Sequence, residues 1–194
     1  MTVGSIDPST LRVSENELRA RLGDRAGQVA CAYERCASAV QSAAEGRYVA
    51  LTVQVSDNDG ESLRLDGHLV ESRALAKNLQ GVSRAYLMAA TLGVGVDRLL
   101  CKYAQISGAE LALADGYASA LCEALCDEVS DRLSEGIVTR PRFSPGYGDF
   151  PLSEQRWLLD KLSAGRTLGI TLGDSLLMTP VKSVSAVMGI EDEG

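Results

Sequence analysis

The chain has 194 residues with 19 basic and 26 acidic side chains, a formal charge of −7, and its length is that of one domain. Apolar residues make up 45% and charged residues 23%, a globular mixture that excludes disordered and fibrous chains, while the acidic balance argues against a surface built to grip nucleic-acid phosphates. Five cysteines, an odd number without secreted-scaffold spacing, point to a reducing cytoplasm. The start TVGSIDPST and the lack of any run of about 18 apolar residues point away from a leader or a membrane span.

In chain order, SENELRARLG predicts a short helix with Ser14 as N-cap and Glu17 completing a capping box. A second helix is expected from about Arg25 to Glu45, with Val29, Ala32, Cys36, Ala39 and Val40 on one face, ending at Gly46. YVALTVQVSD alternates and is β-branched; the turn Asp57-Asn58-Asp59-Gly60 separates it from SLRLDG, so the two runs read as a hairpin. A helical pattern returns between Glu71 and Leu79. AYLMAATLG then reads as a buried strand stopping at Gly93, followed by a helix over 96–106. The longest helix is expected from about Gly108 to Leu133, with Leu111, Ala114, Ala118, Leu121, Leu125 and Val129 marking its apolar face. Residues 139–151 hold three of the five prolines and read as a stiff, aromatic-rich connection. A helix from Leu152 to Leu162 and several short strands between Leu168 and Ile190 complete an order that suggests an α+β fold over a doubly wound one.

Several motifs invite a chemical reading that their spacing does not sustain. Asp66-Gly67-His68-Leu69-Val70-Glu71 nearly matches the D-x-H-x-x-G pattern of corrinoid ligation, but Glu71 replaces the glycine, leaving a turn histidine after a strand. The cysteines lack the C-x-x-C spacing of structural metal sites, at 31–36 as at 122–126, so small buried hydrophobes are the better reading and no metal is expected. Gly93-Val94-Gly95 resembles half of a dinucleotide loop, and a tight strand-to-helix turn explains it equally well.

Two features stand out. Asp115, Ser119, Glu123 and Asp127 fall at i, i+4, i+8 and i+12 of the long helix and form one polar stripe, which by default is a solvated face. In Arg140-Pro141-Arg142-Phe143-Ser144-Pro145-Gly146-Tyr147-Gly148, two prolines restrain the backbone and Gly146 permits positive φ. Arg142 offers a forked cation for a carboxylate, and Tyr147 a ring and a hydroxyl. Such a loop suits a small zwitterion.

At this loop the sequence resembles the activation domain of cobalamin-dependent methionine synthase, through the R-x-x-x-G-Y motif at Arg142–Tyr147. Two further blocks keep the family's order: Ala114-Asp115 through Glu123 resembles its A-D…E helix, and Ser175, Met178, Pro180 and Ser183-Val184-Ser185 resemble its S-x-x-M-x-P-x-x-S-V-S run. The resemblance implies a twisted antiparallel sheet flanked by helices, in one activation-domain-like unit over 1–194: N-terminal helices over 1–46, and a mixed body over 47–194. It implies S-adenosylmethionine bound by Arg142, Ser144, Gly146, Tyr147 and Glu123, in support of reductive methylation of cob(II)alamin. No residue is expected to act as acid, base or nucleophile. The implied partners are a cobalamin-holding methionine synthase core, or another corrinoid protein, and a flavodoxin- or ferredoxin-like electron donor; the chain is too short to be the enzyme it serves. A second reading is a non-enzymatic protein that docks a corrinoid protein or handles cobalamin without S-adenosylmethionine.

Overall fold

A computed structural model of the chain describes residues 1–14, 16 and 30–191. Its elements in order are β1 (Thr2–Ile6), a 3-10 turn (Pro8–Thr10), α1 (Ala30–Ala43), β2 (Gly46–Ser56), β3 (Ser62–Leu65), β4 (His68–Glu71), α2 (Arg73–Asn78), β5 (Arg84–Thr91), α3 (Val94–Ile106), α4 (Gly108–Leu133), α5 (Glu154–Lys161), α6 (Ala164–Thr167), β6 (Thr171–Leu172), β7 (Met178–Thr179) and β8 (Ser183–Ile190). The helix expected from Ser14, and the start of the one expected from Arg25, fall on residues 15 and 17–29, outside the described residues.

The alternating run 46–56 makes β2 the strand on which the sheet assembles. β5 pairs along one edge of it, from Arg47↔Thr91 to Gln54↔Arg84. Its other edge is shared: β1 covers the first half, from Thr2↔Ala50 to Ile6↔Gly46, and β3 the far end, at Val55↔Leu65 and Ser56↔Arg64. β8 continues the sheet beyond β5, from Arg84↔Ile190 to Thr91↔Ser183, and every pairing is antiparallel.

Because strand side chains alternate between faces, the sheet sorts its apolar residues into two cores. Tyr48, Ala50, Met88, Ala90 and Ala186 pack with buried residues of α1, α3 and α4. Val49, Val53, Leu87, Ala89 and Val187 pack with α2, α5 and α6. The expected architecture, an antiparallel sheet flanked by helices, is the observed one. The long helix also has its expected bounds: the Ser107 hydroxyl accepts from the Glu110 amide and caps its start, as N-cap serines do. Of the expected apolar face, Leu111 is only half-buried and the rest are buried.

Three expectations are corrected. Residues 1–46 are not all helical, because Thr2–Ile6 is a strand that completes the edge of β2. Asp66-Gly67 is the turn of a second hairpin, β3–β4; both residues have positive φ, as a two-residue turn of the primed type requires, and His68 opens a strand. The C-terminal strands are not all short, since β8 has eight residues while β6 and β7 have two each and pair only with one another. Gly93-Val94-Gly95 is a strand-to-helix turn, with Gly93 at φ 79°. The space for a Cβ at Gly95 lies 2.3 Å from the Ala43 carbonyl oxygen, so this glycine permits the close approach of α3 to the end of α1.

Candidate functional site

The free edge of β8 is covered by the proline-rich connection. The Arg140 amide donates to the Gly189 carbonyl at 2.8 Å, and Phe143 and Val187 exchange hydrogen bonds at 2.8 and 2.9 Å. Pro145, which has no N–H, stands where this pairing ends. The chain then folds on itself. The Tyr147 amide donates to Ser144 O, Gly146 N to Phe150 O, and Phe150 N to Tyr147 O, with Gly146 at φ 94° and Gly148 at φ 55°.

Two anchors hold the loop. Phe150 is buried in the core shared with α2 and α5. Beside it the Asp149 carboxylate accepts from the Ser72 hydroxyl at 2.6 Å and from the amides of Arg73 and Ala74, each at 3.0 Å. The Ser72 bond first, then those amides, hold this carboxyl below its ordinary range, because they favour the charged form.

Between this segment, the C-terminal half of α4 and β8 lies an open groove of about 750 Å³. Arg142, Ser144, Tyr147 and Glu123, four of the five residues expected at the site, line it together; Val184 and Met188 of β8 form its apolar wall. Gly146 does not line it. Its amide is used inside the loop and its positive φ makes the turn that presents Tyr147, which is 56% exposed. The groove also holds Asp127, Ser130, Asp131 and Arg140, which sequence reasoning did not assign to a site, although Asp127 belongs to the stripe.

Arg142 is the centre of the polar side. Its Nη2 lies 2.9 Å from Asp127 Oδ1 and 3.4 Å from Glu123 Oε2, and Nη1 donates to Ser130 Oγ at 3.2 Å. The guanidinium is 20% exposed. The Ser130 hydroxyl gives its own proton to the Cys126 carbonyl, so it can only accept from Arg142. With three carboxylates (Glu123, Asp127, Asp131) facing two guanidinium groups (Arg140, Arg142), the groove offers a fork for an anion inside a field that favours cations.

The stripe on α4 is therefore more than a solvated face, although Asp115 and Asp127 stay 52% and 70% exposed. Its lower half holds a second cation, for Lys182 Nζ lies 2.7 Å from Asp115 Oδ1 and donates to Ser119 Oγ at 2.9 Å. Lys182 is 11% exposed, and sequence reasoning missed it because its partners stand more than sixty residues away. The available signal was a lysine inside the S-x-x-M-x-P-x-x-S-V-S block, with α4 acids one turn apart.

The other candidates are structural. The His68 ring stacks on Trp157 with centroids 4.2 Å apart and meets Glu154 Oε2 at 2.6 Å, fastening the β3–β4 hairpin to α5. Cys36, Cys122 and Cys126 are buried, but Cys31 and Cys101 are exposed, so the reading of small buried hydrophobes fits three of the five. The hydrogen bond to Cys122, then burial, pushes the Cys126 thiol well up, away from reactivity. Among the described residues no group of three or more metal-ligating side chains occurs, and no helix is long and apolar enough to cross a membrane.

Among solved structures, the chain matches the MetH reactivation domain bound to AdoHcy with a TM-score of 0.70, over 100% of this chain and 79% of that one, at 15% identity. The chain has the reactivation-domain fold. At this identity the likeness is one of architecture. No family model and no curated protein matches the sequence. In this reactivation-domain fold, the R-x-x-x-G-Y loop and the Glu123–Asp127 half of the acidic stripe, recognised separately in the sequence, line one groove.

Proposed function

We propose that the chain is an activation-domain-like unit that binds S-adenosylmethionine in this groove and supports reductive methylation of cob(II)alamin held by a separate corrinoid protein, such as a methionine synthase core, in the cytoplasm. The observation that carries the reading is the meeting of Arg142 with Glu123 in a groove of about 750 Å³, within the ~300–1,000 Å³ range of small-molecule sites. The fold match supports it, because that neighbour is a reactivation domain bound to AdoHcy.

The residues fit the ligand's chemistry. The fork of Arg142 suits the ligand carboxylate, and Glu123 suits its ammonium or sulfonium. The ring of Tyr147 at the rim suits the sulfonium, an attraction of ~0.5–2 kcal/mol. The backbone of Ser144 suits remaining polar edges of the ligand, and Val184 with Met188 suits the nucleoside as an apolar wall. In the reaction the methyl group leaves sulfur for cobalt, S-adenosylhomocysteine is released, and a flavodoxin- or ferredoxin-like donor supplies one electron. This chain's residues bind and orient, and none moves a proton.

Calorimetric titration tests the binding. Loss of a charge-assisted hydrogen bond costs about 1.5–3 kcal/mol, so Arg142→Ala should weaken S-adenosylmethionine binding by roughly ten- to hundredfold. No heat from the wild type at millimolar ligand sinks the reading in favour of a docking protein that does not use the ligand. Reductive methylation is tested by mixing the chain with a cob(II)alamin-loaded core, reductant and S-adenosylmethionine and following the methylcobalamin spectrum.

A further inference from the structure

Arg142 already has a carboxylate on the atom that a ligand carboxylate needs. Both carboxylates within reach of the guanidinium converge on Nη2: Asp127 at 2.9 Å and Glu123 at 3.4 Å. Nη1 is given to Ser130, whose hydroxyl is fixed by the Cys126 carbonyl. A carboxylate binds an arginine fork through two parallel N–H groups, so an incoming ligand must share or take Nη2. The two occupants differ in how readily they leave. Asp127 is 70% exposed and Glu123 36%, so rotation of the Asp127 side chain returns its carboxylate to water at little cost.

We propose that Asp127 is a specificity-determining competitor: its carboxylate holds Arg142 in place and must be displaced by the carboxylate of the bound ligand. This rests on the reading of the groove as a site for an amino-acid-bearing nucleoside. The exchange swaps one carboxylate for another on the same guanidinium, so Asp127 reduces the advantage of a ligand that brings a carboxylate and leaves one that lacks it unaffected. Arg142 stays oriented across the groove through the exchange, since Ser130 holds Nη1 and Glu123 lies near Nη2. An exposed ion pair contributes about 0.2–1 kcal/mol. Its removal should therefore strengthen binding of a carboxylate ligand by about 1.4- to fivefold.

The test titrates the full chain with S-adenosylhomocysteine and with 5′-methylthioadenosine, which is the same thioether nucleoside without the amino-acid end. Asp127→Asn should bind S-adenosylhomocysteine about 1.4- to fivefold more tightly than wild type and bind 5′-methylthioadenosine equally. Asp131→Asn removes the same charge one turn further along; Asp131 makes no ion pair with Arg142 among the described residues, and its removal should gain less. Because Asp127 is exposed, both variants should melt close to wild type. A wild type that binds S-adenosylhomocysteine while Asp127→Asn binds it no better overturns the proposal and leaves the function standing. Equal gains in the two variants also overturn it, reducing the effect to the general field. A variant that binds where the wild type does not supports both readings, and no binding by either protein overturns both.

Discussion

Replacement of Gly95 by alanine sets two physical rules against each other. Gly95 sits in the first turn of α3 with no positive φ, so helix propensity alone expects Gly95→Ala to stabilise by ~0.5–1 kcal/mol. The packing says the reverse. A Cβ at this position would lie 2.3 Å from the Ala43 carbonyl oxygen and 3.3 Å from its carbon, about 1 Å inside normal contact. Both atoms are backbone, at the end of α1, so no side chain can swing aside and the two helices must separate. Overpacking of this kind costs ~1–3 kcal/mol, which outweighs the propensity gain in most of that range. A net loss of ~1–2 kcal/mol in a chain of this size lowers Tm by about 2–8 °C. The assay is thermal and urea unfolding followed by circular dichroism, with Gly108→Ala as control, because a Cβ there meets nothing within 4 Å. A Gly95→Ala protein as stable as wild type would refute the close-approach account and return Gly93-Val94-Gly95 to the pool of unexplained loops.

Lys182→Met keeps most of the stem and removes the charge that holds Asp115 and Ser119. It should cost about 1–2 kcal/mol, between an exposed pair and a buried charged hydrogen bond, and a double-mutant cycle with Asp115→Asn should give a coupling near 1 kcal/mol. A coupling indistinguishable from zero would show that the contact contributes nothing. For Asp149, a carboxyl whose folded value lies below its unfolded value stabilises fully above about pH 4 and loses that contribution as pH falls through the lowered value. Asp149→Ala should therefore be less stable than wild type at pH 7 and converge on it in acid, and amide exchange should quicken at Arg73 and Ala74; parallel pH profiles would contradict the assignment.

The legible parts of the sequence were those whose signals are local. The 26-residue helix α4 kept its expected bounds because a serine cap and an unbroken apolar pattern lie within it. The stripe was visible from i, i+4 spacing alone, and Arg142, Ser144, Gly146 and Tyr147 from one short motif. What spacing could not show was the partner of each charge. Asp115 and Asp127 look alike along the helix, yet one meets Lys182 and the other Arg142, and that choice depends on how β8 and the connection before α5 lie across α4. β1 was missed for the same reason: TVGSI is a weak strand until the edge of β2 is there to pair with it. The Asp66-Gly67 turn carried a local signal, but the same two residues also open the D-x-H pattern, so one short run supports two readings that only the pairing of β3 with β4 separates.

One consequence of the polar stripe concerns length rather than charge. α4 works as a ruler, with its four polar positions set one turn apart so that two cations arriving from different parts of the chain each find a seat. A single residue inserted between Ser119 and Glu123 would turn everything beyond it by about 100°, leaving Lys182 seated while the seats of Arg142 rotate out of the groove. Substitutions along the stripe can be graded, but a change in its count cannot. The spacing of this helix is thus a constraint of its own, on the number of residues between the two seats rather than on their charge.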